Sequence, residues 1–198
     1  MSDRIRLSLW FERHPREQVL PRLVQAAQAL PPESAAAGVR GLTVRALDWG
    51  EPPVLEERPQ EYLAVEEAVR QMEEFVHDDC ACELELAWPL WRFDEGWSHV
   101  LCPVTCISLG PGFAPGAIAG EGHLQVDFGL DEVFLAEMAP WNRDTRLHLQ
   151  TNILQLLGFS QQLQRALQPQ RRRLWSDQSA DWTTRLTERL QAAEGMVQ

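Results

Sequence analysis

The residues from Cys82 to Leu135 constrain the fold of this chain more than any others. Three runs within them, Cys82–Leu90, Val100–Leu109 and Leu124–Leu130, alternate with the two-residue period of a pleated strand. In the first, Cys82, Leu84, Leu86, Trp88 and Leu90 share one face, while Glu83 and Glu85 lie on the other. The second is apolar on both faces, with Val100, Cys102, Val104 and Cys106 against Leu101, Thr105, Ile107 and Leu109, which is the pattern of a central, doubly covered strand. A meander of three strands is therefore the expected centre of the fold.

The flanking patterns add to it. Arg4–Phe11 alternates as a further strand, and Pro15–Leu30 repeats apolar residues at helical spacing with Pro21 inside, so that helix either starts near Leu20 or kinks there. Val39–Trp49 is rich in strand formers. Glu51–Pro59, with three prolines and three glutamates, reads as an extended surface connection. Glu61–His77 is the clearest helix, with Tyr62, Val65, Ala68, Val69, Met72, Phe75 and Val76 on one stripe. After Leu135 helical periodicity dominates: Asp144–Leu157 with Gly158 as its stop, a second helix from Ser160 to Leu167, and a third from Asp177 or Ser179 to Ala193 with Trp182, Leu186 and Leu190 inward. The expectation is an α+β fold with a single mixed, mainly antiparallel five-strand sheet in the order β-α-β-α-β-β-β. Residues 1–138 form the sheet domain, and 139–198 a C-terminal helical extension packed on it.

Composition narrows the function. The chain has 198 residues and a net charge of −11, a field that repels nucleic acid and anionic membranes and suits a basic protein partner. All basic residues are Arg, which excludes a Schiff-base lysine and a P-loop lysine. No apolar run approaches the ~20 residues of a membrane span, and the N-terminus carries no signal-peptide pattern, so a cytoplasmic location is expected. Cys80, Cys82, Cys102 and Cys106 are spaced C-x-C and C-x-x-x-C rather than as paired C-x-x-C, and three of them fall in strand alternation, so buried core thiols are expected and no metal or cofactor. Gly110–Gly122 is glycine-rich, but no Lys-Ser or Lys-Thr follows it and the next element reads as a strand.

Two groups of residues stand out as binding candidates. Glu66, Glu67, Glu73, Glu74, Asp78 and Asp79 run along and beyond one helix, and Trp91, Trp97 and Phe113 are aromatic anchors in a chain with eight tryptophans. A non-enzymatic, acidic protein-binding module is the leading reading, similar in general character to bacterial immunity proteins that neutralise a basic toxin. The alternatives are an enzyme with a discontinuous site drawn from Cys102, His99, His123, Asp127 and Glu121, and a structural subunit assembling through its C-terminal helices.

Overall fold

The computed structural model describes residues 3–177 and, beyond them, Trp182, Thr184, Leu186, Thr187, Glu188 and Gln191. Its strands are β1 (Arg4–Trp10), β2 (Gly41–Ala46), β3 (Pro53–Glu57), β4 (Cys80–Phe93), β5 (Trp97–Leu109), β6 (Leu124–Leu130) and β7 (Arg171–Ser176). They make one sheet in the order β3-β2-β4-β5-β6-β1-β7, with every neighbouring pair antiparallel. The helices are α1 (Val19–Gln28), α2 (Pro32–Ala37), α3 (Val65–Met72), α4 (Ala117–Glu121), α5 (Glu132–Leu135) and α6 (Arg143–Leu167).

This corrects the expected five-strand mixed sheet with its helical C-terminal segment: the sheet has seven strands, and helices occur throughout the chain. Both added strands lie at sheet edges, where pairing on one side only tolerates sequences that a central strand would not. β3 opens on Pro53 and carries Glu56 and Glu57, and proline and charge are acceptable on an edge. β7 begins with three consecutive arginines, and its alternation shows only in its second half, where Leu174 and Ser176 are buried while Arg173 and Trp175 are half-exposed.

Parity along the strands defines two faces. One carries Ile5, Leu7, Leu9, Leu42, Val44, Cys82, Leu84, Leu86, Trp88, Val104, Cys106, Leu124 and Val126, all in the main core. Leu23 of α1, Met72 of α3, and Ile153, Leu156 and Leu163 of α6 join the same cluster, so it draws on residues from both sides of position 138. Each fully buried Leu, Ile or Phe contributes about 1.5–3 kcal/mol relative to exposure. Trp182 and Leu186 are also fully buried there, whereas Leu190 lies outside the described residues.

The second, open face holds Arg6, Thr43, Glu83, Glu85, Thr105 and Ile107. One end of it is covered by the 110–122 connection, which folds down as α4 and buries Phe113 with Ala81 and Leu109. Gly110 begins that connection against the Asp78 carbonyl, so closely that any Cβ would clash.

α1 begins near Leu20, one of the two arrangements that Pro21 allowed, whereas the expected break in α6 is absent. α1 starts at Val19 after a 3-10 turn over Arg16–Gln18, which leaves Pro21 in the first turn, where its missing amide costs nothing. α6 runs without a break through Gly158, whose ~1 kcal/mol helix penalty is outweighed by burial of Phe159 and Leu163 in the next turn. It ends at Gln168, in a left-handed conformation before Pro169.

Candidate functional site

The concavity best formed for binding lies beside α1 and α3. Leu20, Pro21 and Val24 of α1 face Val69 of α3 and Val76 beyond it, across a cleft of about 580 Å³ whose rim carries Arg16, Glu17, Glu73, Glu74 and His77. The helical spacing that buries Leu23 and Ala27 on one side of α1 leaves Leu20 and Val24 half-exposed on the next, and so gives the cleft its apolar floor. A second hollow shares Arg16 and Glu17 with it and continues past Arg13, His14 and Pro15 to Asp78 and Pro111. Four carboxylates, Glu17, Glu73, Glu74 and Asp78, thus border one trough.

Of the expected acidic residues, Glu73, Glu74 and Asp78 belong to this trough, while the side chains of two others are used locally. Glu66 accepts from Gln28 Nε2 at 2.8 Å and Glu67 pairs with Arg70; Asp79 follows Asp78 outside the trough lining, its backbone carbonyl accepting from the Leu47 amide at 2.8 Å. Trp91 and Trp97 sit at the far tip of the β4–β5 hairpin, eleven residues along β4 from Cys80, or roughly 36 Å. Both rings are half-buried against His148 of α6, at centroid distances of 3.9 Å and 4.9 Å, and Trp97 Nε1 donates to Thr145 Oγ1 at 3.2 Å. Asn152 fixes this end. Its carboxamide accepts from the Trp91 N–H at 3.0 Å and donates to the carbonyls of Trp91 and Val133 at 2.7 Å each, standing in for a neighbouring strand where β4 runs beyond β2. Phe113 is 2% exposed and meets Trp49 edge to face, so its ring is core rather than surface.

The catalytic candidates do not converge. Cys102 points into the core face opposite Trp88, and burial raises its thiol pKa, the opposite of what an attacking thiolate needs. His99 pairs with Trp91 on the other parity, three residues away. Asp127 lies opposite Thr105, six strand residues or roughly 20 Å from His99, with its carboxylate held by Arg4 at 3.0 Å and Arg6 at 3.5 Å. Glu121 accepts from Gln125. The four cysteines are all buried; only Cys80 and Cys82 approach each other, at 3.9 Å between sulfurs, and burial pushes Cys106 up to about 12.

His123 instead belongs to a cluster the sequence did not announce. Its Nδ1 accepts from the Phe11 amide at 3.0 Å, its ring lies 5.0 Å from that of His14, and His14 Nδ1 is bonded to Arg22, whose guanidinium stacks on Phe11 at 3.6 Å. His14 is 5% exposed, and burial first, then the Arg22 and His123 charges, lowers its pKa to about 3. Burial and Arg22 lower that of His123 as well. Among the described residues Arg22 makes no ion pair; its other bond goes to the Arg13 carbonyl at 2.9 Å. Three basic groups without a carboxylate form a neutral-histidine clamp that fixes the wall of the trough, and isolated residues at positions 14, 22 and 123 carry no spacing that could reveal it.

No family model matches this chain, and no curated protein or solved structure matches it significantly. Among the described residues no helix is long and apolar enough to cross a membrane.

Proposed function

We propose that this chain is a non-enzymatic protein-binding module that receives a basic, partly apolar segment of a partner protein in the trough beside α1 and α3. The observation that carries this reading is the trough itself, an apolar floor of Leu20, Val24, Val69 and Val76 inside a rim with Glu17, Glu73, Glu74 and Asp78. Apolar side chains of the segment would provide the lasting contact, and its cations would answer the rim carboxylates. The net charge of −11 draws such a partner in from a distance. Masking a basic surface in this way is similar in character to what immunity proteins do. The spread of Cys102 and His99 on β5 and Asp127 on β6 weighs against a catalytic site drawn from them and supports the binding reading.

The test uses a peptide of alternating Arg and Leu and a matched peptide of Glu and Leu, titrated into isotope-labelled protein. Shifts confined to the trough, at residues 13–24, 69–78 and beside Pro111, are expected with the basic peptide alone. The Glu73→Arg, Glu74→Arg double variant should bind it about tenfold more weakly, mostly through slower association. Equal binding of the acidic peptide, shifts elsewhere on the surface, or an unaffected double variant would defeat the proposal.

A further inference from the structure

We propose that two copies of this chain pair through the outer face of α6, antiparallel, about a twofold axis that passes between Thr151 and Leu154. The face is a stripe of the helix itself. Asp144, Leu147, Thr151, Leu154, Gly158, Gln161 and Arg165 follow one another at alternating steps of three and four residues, the a/d spacing of a coiled-coil seam. Leu149, Ile153, Leu156 and Leu163 form the buried stripe on the opposite side of the same helix, so α6 holds to the core by one side and leaves the other exposed. Leu147 is 57% exposed and Leu154 54%; Thr151 is half-buried, and the rest of the seam is exposed. The Thr151 hydroxyl already donates to the Leu147 carbonyl of its own helix at 2.8 Å and needs no partner across the seam.

Two features of this stripe have no explanation within a single chain. The first is charge. In a chain with a net charge of −11, 24% of whose residues are charged, no Asp, Glu, Lys or Arg stands between Arg146 and Arg165. The exposed surface there includes Leu147, Gln150, Leu154, Gly158, Gln161 and Gln162. A partner of either sign would find no counter-charge on it, whereas a second copy of an acidic chain meets no like charge. The second is Gly158. Glycine is a poor helix former, and neither ordinary reason for keeping one applies here: its backbone is helical, and nothing beyond its chain neighbours and the helix backbone lies within 4 Å of where a Cβ would stand. The missing side chain leaves a hollow in the outer face, between Leu154 one turn before it and Gln162 one turn after.

An antiparallel pairing uses both features. With the axis between Thr151 and Leu154, Leu147 of each copy stands over the hollow at Gly158 of the other, and Leu154 over Thr151, each contact made twice by symmetry. Asp144 stands beside Gln161 of the second copy, one helical turn from its Arg165, and the two helix dipoles run in opposite directions. A parallel pairing would instead set Asp144 on Asp144, Arg165 on Arg165 and the two hollows on each other, leaving them unfilled. The seam is roughly 31 Å long at 1.5 Å per residue and about 10 Å wide, a footprint of about 300 Å² per copy. A specific interface of ordinary size takes ~800 Å² per partner, so this dimer is a weak and reversible one.

Sedimentation equilibrium at physiological salt tests this, since a screening length of ~8 Å suppresses the repulsion of two acidic chains over most of their surfaces. Wild-type protein should be monomeric at about 1 µM and substantially dimeric near ~1 mM. Leu154→Glu, at an exposed helix position that puts no folding at risk, should weaken the dimer about tenfold or more by placing a carboxylate of each copy in the seam. Gly158→Gln should do two opposite things. It should raise the melting temperature of dilute, monomeric protein, because a better helix former fills open space, and weaken the dimer about tenfold, because the hollow for Leu147 is gone. None of these substitutions touches the trough beside α1 and α3. A wild type that stays monomeric near ~1 mM, whether its outer face is bare or serves a different protein, would overturn the inference. So would a dimer that either variant leaves as tight as wild type, or a lowered melting temperature for Gly158→Gln, which would mean that the chain itself requires the glycine.

Discussion

Lowering the pH from 7 to 5 should cost the native fold about 2 kcal/mol through His14 alone. The ordinary imidazole value is 6.5, and burial, with Arg22 and His123 close by, lowers it to about 3 in the folded chain. Folded His14 therefore stays neutral across this window, whereas the unfolded chain takes up the proton as the pH falls through 6.5. The unfolded state binds more protons, so stability rises with pH here. The contribution is fully present above 6.5 and is lost towards 3, at ~1.4 kcal/mol for each pH unit well below 6.5. The suitable comparison is His14→Asn, in which the amide oxygen can still accept from Arg22 but nothing titrates. Urea unfolding followed by tryptophan fluorescence at both pH values gives four free energies. Carboxylates and His123 act in both proteins and cancel in the difference, which should be about 2 kcal/mol in favour of a flatter profile for the variant. Identical pH slopes for the two proteins, or a His14 ring resonance titrating near 6.5, would refute the account of the clamp.

Asn152→Ala should destabilise the fold by about 2–4 kcal/mol in thermal or urea unfolding, because it strands the Trp91 amide and the Trp91 and Val133 carbonyls at a buried strand edge. Trp97→Ala should cost about 2 kcal/mol or more of stability, by losing the His148 stack and the bond to Thr145, and leave affinity for the basic peptide unchanged.

The meander was legible because burial imposes a strict two-residue period on β4, β5 and β6, and residues such as Leu84, Leu86 and Trp88 could not satisfy it in any other conformation. β3 and β7 escaped notice for one shared reason. An edge strand buries at most one face, so Pro53 and Arg171 can occupy positions whose hydrophobic pattern would elsewhere have betrayed a strand. Gly158 misled in the opposite direction, since local propensity marks a helix end there while Phe159 and Leu163 make continuation the cheaper choice. At the trough the sequence supplied half. Charge on a helix is visible in the spacing of Glu73 and Glu74, but the apolar floor exists only because α1 packs beside α3, and the clamp only because three distant segments meet at Phe11. Trp91 and Trp97 stand out in composition, yet composition does not tell a ring stacked on His148 from a ring presented to a partner.

A trough of about 580 Å³ accommodates only a few side chains, so it would hold a flexible basic segment modestly, after losses in ordering that segment. Charge would govern how fast such a complex forms and the apolar floor how slowly it comes apart. The Glu73→Arg, Glu74→Arg pair therefore acts mainly on association, whereas Val24→Ala or Val69→Ala, which thin the floor, should mainly speed dissociation in a stopped-flow displacement measurement with the basic peptide. A double variant that changed only the dissociation rate would refute this division between rim and floor.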